Sequence, residues 1–126
     1  VKLKHLPELN QERNILAARY TKGICNKNIQ LPKLRSHADS IYHQYVIQCS
    51  QREALQTYLQ ENGIQTQIHY PIPPHLAECY KDWGIPKGAF PIAEQYANEV
   101  LSLPIYTGMT EDEQQYVIDK LNAFRR

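Results

Sequence analysis

At 126 residues with a hydrophobic fraction of 42%, the chain is sized for one globular domain with a modest core. Fourteen Lys and Arg against thirteen Asp and Glu leave a formal charge of +1, which gives no electrostatic argument for a nucleic-acid or anionic-membrane partner. No apolar run approaches the ~20 residues needed to cross a bilayer, and no charged-then-apolar leader opens the chain.

Residues 1–22 read as a helix, with Leu3, Leu6, Leu9, Leu16 and Tyr20 near helical period and Arg13 interrupting the stripe. Pro7 either sits in a first turn, where its missing N–H costs little, or kinks a longer helix. Gly23 is placed to stop that helix at C′. Residues 24–40 carry turn chemistry in Asn26, Asn28, Pro32, Ser36 and Asp39. Residues 41–49 are rich in β-branched and aromatic side chains and predict a strand, with Cys49 in its apolar run. Ser50 and Glu53 form the spacing of a capping box, and the helix 51–62 carries Leu55, Tyr58 and Leu59 before Asn62-Gly63 stops it.

A second strand is predicted over 64–69, where Ile64, Thr66 and Ile68 alternate with Gln65, Gln67 and His69. That phase sends the first set toward a helical layer and His69 the other way. Residues 75–83 predict a short helix, 84–88 a turn, 91–101 a helix and 102–105 a short third strand. Thr110 and Glu113 then open a last helix carrying Tyr116, Val117, Leu121 and Phe124. The expected architecture is α+β: a two-layer small domain, 1–126, with a short antiparallel sheet of about three strands and helices on one face.

The run Ile68-His69-Tyr70-Pro71-Ile72-Pro73-Pro74-His75 departs from every pattern for core structure. Three prolines fix φ and remove backbone donors, which makes a stiff extended loop with no ladder to join. A stiff loop at a strand's end holds polar side chains at fixed positions, so His69, Tyr70 and His75 are the candidate site residues. The same stretch can equally be a rigid connector whose rings cover a helix.

Other chemistry is not signalled. There is no Gly-rich phosphate loop, G-x-S-x-G elbow or H-E-x-x-H. His69 and His75 lack a nearby third ligand, which argues against a metal. Glu111, Asp112 and Glu113 cluster, but they begin a helix whose dipole favours negative charge there. Cys25, Cys49 and Cys79 are odd in number and widely spaced, which points to free thiols in a reducing, cytoplasmic setting rather than a disulfide framework. The chain opens on Val1, not on methionine, without a cap or turn signal, so a cut within a longer protein is expected.

The order and spacing of Ala17-Ala18-Arg19-Tyr20, Tyr42-His43-Gln44-Tyr45-Val46-Ile47, the segment from Gly63 through His75, Leu101-Ser102-Leu103-Pro104-Ile105-Tyr106 and Met109-Thr110 resembles the C-terminal part of the DegT/DnrJ/EryC1/StrS family of nucleotide-sugar aminotransferases. The resemblance covers essentially the whole chain. Its wording around His69-Tyr70-Pro71 is most similar to members that aminate the 3-keto position of dTDP-linked 6-deoxyhexoses. It implies a pyridoxal-phosphate enzyme of the aspartate-aminotransferase fold, dimeric, with glutamate as amino donor. The Schiff-base lysine and most cofactor contacts would lie in a large N-terminal domain. This chain would be the small C-terminal domain, with 1–22 as the helix leading into it.

None of Lys2, Lys4, Lys22, Lys27, Lys33, Lys81, Lys87 and Lys120 stands in the family's lysine motif, so the chain by itself is expected to be inactive. What the resemblance carries over is a substrate-side role for His69 and Tyr70, with His75 weaker. An imidazole and a phenol suit sugar hydroxyls and carbonyls, and a protonated histidine would suit a diphosphate. His43 reads as a core or inter-domain histidine, and Tyr106 as a residue lining a domain boundary. The competing expectation is a free-standing α+β module that binds a small polar ligand or a protein at the proline loop.

Overall fold

The computed structural model describes residues 2–125. A 3-10 turn, Lys2–His5, leads into helix α1, Leu6–Gly23, with Pro7 in its first turn, where no intrahelical donor is lost. Val1 lies outside the described residues. Strand β1, Tyr45–Gln48, pairs antiparallel with β2, Val100–Leu103, in the register Tyr45↔Leu103 to Gln48↔Val100. Helix α2, Arg52–Glu61, follows β1; helix α3, Pro91–Glu99, runs directly into β2; helix α4, Glu111–Ala123, closes the chain.

Among the described residues the sheet has two strands, not three. Segment 64–69 contributes one bridge, Gln67↔Ser102, with N···O distances of 2.7 and 3.2 Å. The physical reason lies on both sides of it. Ile64 is committed to the end of α2, and Pro71, Pro73 and Pro74 have no N–H to extend a ladder. The predicted strand 41–49 is likewise shortened, because Tyr42 takes a positive φ of 43° that breaks the extended run. Pro104 ends β2 one residue after Leu103.

Helix ends show which local signals governed. At the end of α2, Gly63 has φ 75°, its amide donates to Gln60 O at 2.9 Å, and the Ile64 amide donates to Leu59 O at 2.9 Å. This is a complete left-handed cap, with Leu59 and Ile64 both buried. Thr110 and Glu113 make the predicted capping box on α4. Ser50 does not cap α2: the N-cap is Gln51, without a side-chain cap bond. The ladder continues through the Cys49 amide to Glu99 O at 2.9 Å, so Ser50 and Gln51 are spent turning the chain. Residues 75–83 form two 3-10 stretches, Pro74–Leu76 and Glu78–Trp83, separated by the extended Ala77.

Gly23 is the last residue of α1, not a left-handed stop; Ile24 caps the helix. Its missing Cβ serves packing instead. A Cβ there would lie 2.9 Å from Ile118 Cδ1 on α4. The ends of α1 and α4 are also cross-capped: Asn122 Nδ2 donates to Gly23 O at 2.8 Å, and Asn26 Nδ2 donates to Leu121 O at 2.8 Å and Phe124 O at 3.0 Å. Farther along, Gln114 Nε2 donates to Leu16 O at 2.6 Å, and Arg19 pairs with Glu111.

The core gathers Leu16, Ala17 and Tyr20 of α1, Leu55 and Leu59 of α2, and Val117, Ile118 and Leu121 of α4 against Tyr45, Ile47, Leu101 and Leu103 of the sheet. Cys49 is buried in it, and all three thiols are free. By strand alternation Val46, Gln48, Val100 and Ser102 occupy the opposite face. There α3 lies, contributing Ala97 to the buried set but nothing to the core cluster. Among the described residues no helix is long and apolar enough to cross a membrane.

Candidate functional site

The proline loop begins where the single bridge at Gln67 ends. Ile68 packs against the core and His69 turns to the outer face of the sheet. His69 Nδ1 lies 2.9 Å from Ser102 Oγ on β2. The His69–Tyr70 peptide is cis, and the two rings stand edge to face, 5.5 Å apart at 87°. His69 is half-buried, whereas Tyr70 is 73% exposed.

His69 lies on the wall shared by two openings. One is a groove of about 1250 Å³ bounded by Ile29, Lys33, Val46, Ile72, Tyr96 and Val100. The other is a smaller cleft of about 470 Å³ bounded by His43, Gln65, Gln67, Ser102 and Tyr106. The groove is largely apolar, the cleft is polar and apolar in about equal measure, and neither is lined by an Asp or Glu. An anionic or oxygen-rich ligand would meet no opposing carboxylate in either. Burial first, then the neighbouring Glu113, push the Tyr106 phenol above its ordinary range, so at neutral pH it both donates and accepts.

His75 is set apart from this pair. It is buried at 7% exposure, its Nε2 lies 3.0 Å from Glu94 Oε1, and its ring meets Phe90 edge to face at 4.9 Å. The same Glu94 oxygen accepts from the Gly88 amide at 2.7 Å. One carboxylate thus ties the proline loop, the 84–90 turn and α3 together. Burial alone would raise the Glu94 carboxyl, but hydrogen bonds from the Gly88 amide, His75 and the Phe90 amide, with the charge of His75, outweigh it and hold it below the ordinary 4.5.

Ser102 and Glu94 are the two residues that sequence reasoning missed. Ser102 did carry a signal, as a polar side chain inside the apolar run Val100-Leu101-Ser102-Leu103. Glu94 carried none, since its partners Gly88 and His75 are joined to it only by folding.

Among the described residues no three His, Cys, Asp or Glu side chains converge as metal ligands would. Pyridoxal phosphate, which the resemblance implies, needs an enclosed lysine amine and a carboxylate for its ring nitrogen. Lys4, Lys22, Lys27, Lys33, Lys81 and Lys87 are exposed, Lys120 lies over the Tyr116 ring at 5.1 Å, and no carboxylate lines either opening. The described residues therefore do not fit that cofactor.

A family model described as the DegT/DnrJ/EryC1/StrS aminotransferase family matches residues 1–122. Among curated relatives, the erythromycin biosynthesis sensory transduction protein EryC1 of Saccharopolyspora erythraea is 44% identical over 98% of this chain and 34% of its own length. The dTDP-3-amino-3,6-dideoxy-alpha-D-galactopyranose transaminase of Aneurinibacillus thermoaerophilus is 41% identical over the same shares, 98% and 34%. The crystal structure of S. venezuelae DesV superposes with a TM-score of 0.93 at 35% identity, over 96% of this chain and 33% of that one. The chain thus spans about a third of the length of the relatives it matches.

Proposed function

The chain belongs to the DegT/DnrJ/EryC1/StrS aminotransferase family, and from that membership we propose that it is the C-terminal, substrate-side domain of a pyridoxal-phosphate enzyme that moves an amino group from glutamate to a nucleotide-linked keto-deoxysugar. The best-supported substrate is a dTDP-3-keto-6-deoxyhexose, on the strength of the 41%-identical transaminase named for a dTDP-3-amino-3,6-dideoxy sugar. Cofactor binding is assigned to an N-terminal domain outside residues 1–126. When bound there, the cofactor supplies the electron sink for amino transfer.

The observation that carries the reading is the position of His69, on the wall between a largely apolar groove and a cleft of mixed polarity, with the Tyr70 phenol beside it. On this reading the two side chains bind and orient the sugar nucleotide. Each hydrogen bond to a carbonyl or hydroxyl contributes about 0.5–1.5 kcal/mol, and about 1.5–3 kcal/mol if the acceptor is a charged phosphate oxygen. The exposed phenol, with no hydrogen-bond partner among the described residues, is available for such a bond. His75 acts from within, holding the loop through Glu94 and Phe90. Trp83, Phe90, Ile92 and Tyr96 are all more than half exposed, which supports a further surface covered by the N-terminal domain or by the second subunit of a homodimer.

The test is the product of the whole gene. It is expected to take up pyridoxal phosphate, seen as a yellow absorbance, and to aminate a dTDP-linked 3-keto-6-deoxyhexose with glutamate. His69→Ala is expected to raise KM for the nucleotide sugar about tenfold while the absorbance stays intact. A product that binds no cofactor, or a His69→Ala variant that loses the absorbance, would overturn the assignment.

A further inference from the structure

We propose that Ser102 is a positioning residue for His69: its hydroxyl donates to Nδ1, selects the Nε2–H tautomer, and so presents His69 to the site as a hydrogen-bond donor. The ligand atom this suits is a bare acceptor oxygen, carbonyl or phosphoryl, and not a hydroxyl proton. The functional meaning rests on the reading of His69 as a substrate contact, whereas the tautomer itself does not.

The Ser102 backbone is fully used by the bridge to Gln67, the amide donating at 2.7 Å and the carbonyl accepting at 3.2 Å. Its side chain is buried, with the residue at 6% exposure. Among the described residues the hydroxyl has one partner, His69 Nδ1 at 2.9 Å. A serine hydroxyl carries one proton to donate and lone pairs to accept.

If Ser102 donates to Nδ1, both groups are satisfied and the ring proton sits on Nε2. If Nδ1–H donates to Oγ instead, the proton of this largely buried hydroxyl has no acceptor among the described residues. A buried unsatisfied donor is disfavoured by a factor of about 5–30 in population. The first arrangement therefore dominates, and Nε2–H is what remains to meet a ligand.

The arrangement is also well anchored. The strand that carries Ser102 is held on its other side by β1, with Val46 opposite Ser102 in the register. His69 lies two residues from the bridge that pins Gln67 to the same serine. Backbone and side chain of Ser102 thus set the position and the rotation of the imidazole together. On the same face Val46 and Val100 are apolar and Gln48 is turned to Glu99, so among the described residues Nδ1 is the one acceptor within hydrogen-bond distance of the hydroxyl.

The test is a long-range nitrogen–proton NMR correlation on the nitrogen-15-labelled chain at a pH where histidines are neutral. The His69 signals are assigned by their loss in His69→Gln. The native chain is expected to show His69 as the Nε2–H tautomer with a hydrogen-bonded Nδ1. Ser102→Ala is expected to shift the Nδ1 resonance toward that of an unbonded nitrogen and to populate the Nδ1–H form, and Ser102→Thr, which keeps the hydroxyl, to restore the native pattern. An Nδ1–H tautomer in the native chain, or a pattern unchanged in a folded Ser102→Ala chain, would refute the proposal. If Ser102→Ala does not fold, the native tautomer and the Ser102→Thr spectrum decide. No ligand is needed, so a gene product that aminates no sugar would overturn the proposed function and leave the Ser102–His69 pairing standing.

Discussion

Replacing Gly23 with Ala sets two opposed effects against each other, and the geometry decides the sign. In a helix, exchanging Gly for Ala ordinarily adds about 0.5–1 kcal/mol of stability, because the glycine backbone loses more freedom on folding. Gly23 closes α1, so the gain is at the lower end. Against it, a Cβ would stand 2.9 Å from Ile118 Cδ1 and 3.1 Å from Cγ2. The Cδ1 atom can swing away about χ2. The Cγ2 atom cannot, since it is fixed to a stiff β-branched carbon. Ile118 is 2% exposed, and Asn122 on the same helix is bonded to Gly23 O, so α4 has little room to retreat.

Overpacking of this kind costs about 1–3 kcal/mol, which exceeds the propensity gain. The expected net loss is about 1–2 kcal/mol, a fall in Tm of roughly 3–8 °C for a domain of this size. Urea and thermal unfolding followed by far-UV circular dichroism measure it. Ile118→Ala removes Cγ2 together with Cδ1 and costs about 2–5 kcal/mol alone. In the double variant the two costs are expected to fall short of additivity by about 0.5–1 kcal/mol, because the truncated side chain makes room for the new methyl. A Gly23→Ala chain as stable as its parent, or strictly additive costs, would refute the close-approach account.

Two further outcomes follow from the same structure. Gly63 has φ 75° with nothing within 4 Å of a built Cβ, so Gly63→Ala is expected to cost about 1 kcal/mol through backbone strain alone, with Gly63→Asn costing less; equal urea midpoints for all three chains would contradict the left-handed cap. Glu94's carboxyl is held below 4.5 in the folded chain, so the stability it lends is complete above that value and is lost as pH falls through the lower folded value. Glu94→Gln is expected to flatten that acid-side loss in thermal melts taken between pH ~6 and ~3, and identical pH profiles for the two chains would show that the carboxylate does not titrate with the fold.

The features legible in the residues alone were those decided within one turn of chain. Thr110 and Glu113 are three apart, and their capping box formed as spaced. Asn62-Gly63 stopped α2 because only glycine takes its backbone conformation cheaply. Pro7 fell in a first turn, and the prolines after Tyr70 kept that segment out of the sheet. Alternation along 64–69 sent Ile64 and Ile68 to the core and left His69 for the other face. The family, too, could be read from motif order.

Folding decided what distance in sequence conceals. His69 meets Ser102 across 33 residues and His75 meets Glu94 across 19, and no local rule couples positions so far apart. Whether the third extended segment became a strand depended on how many of its residues other elements had already claimed. Whether Gly23 was a turn or a contact depended on where α4 came to rest. Short-range propensity acts through bonds between near neighbours, whereas a side chain's partner is set by which elements pack, and packing is a property of the whole chain.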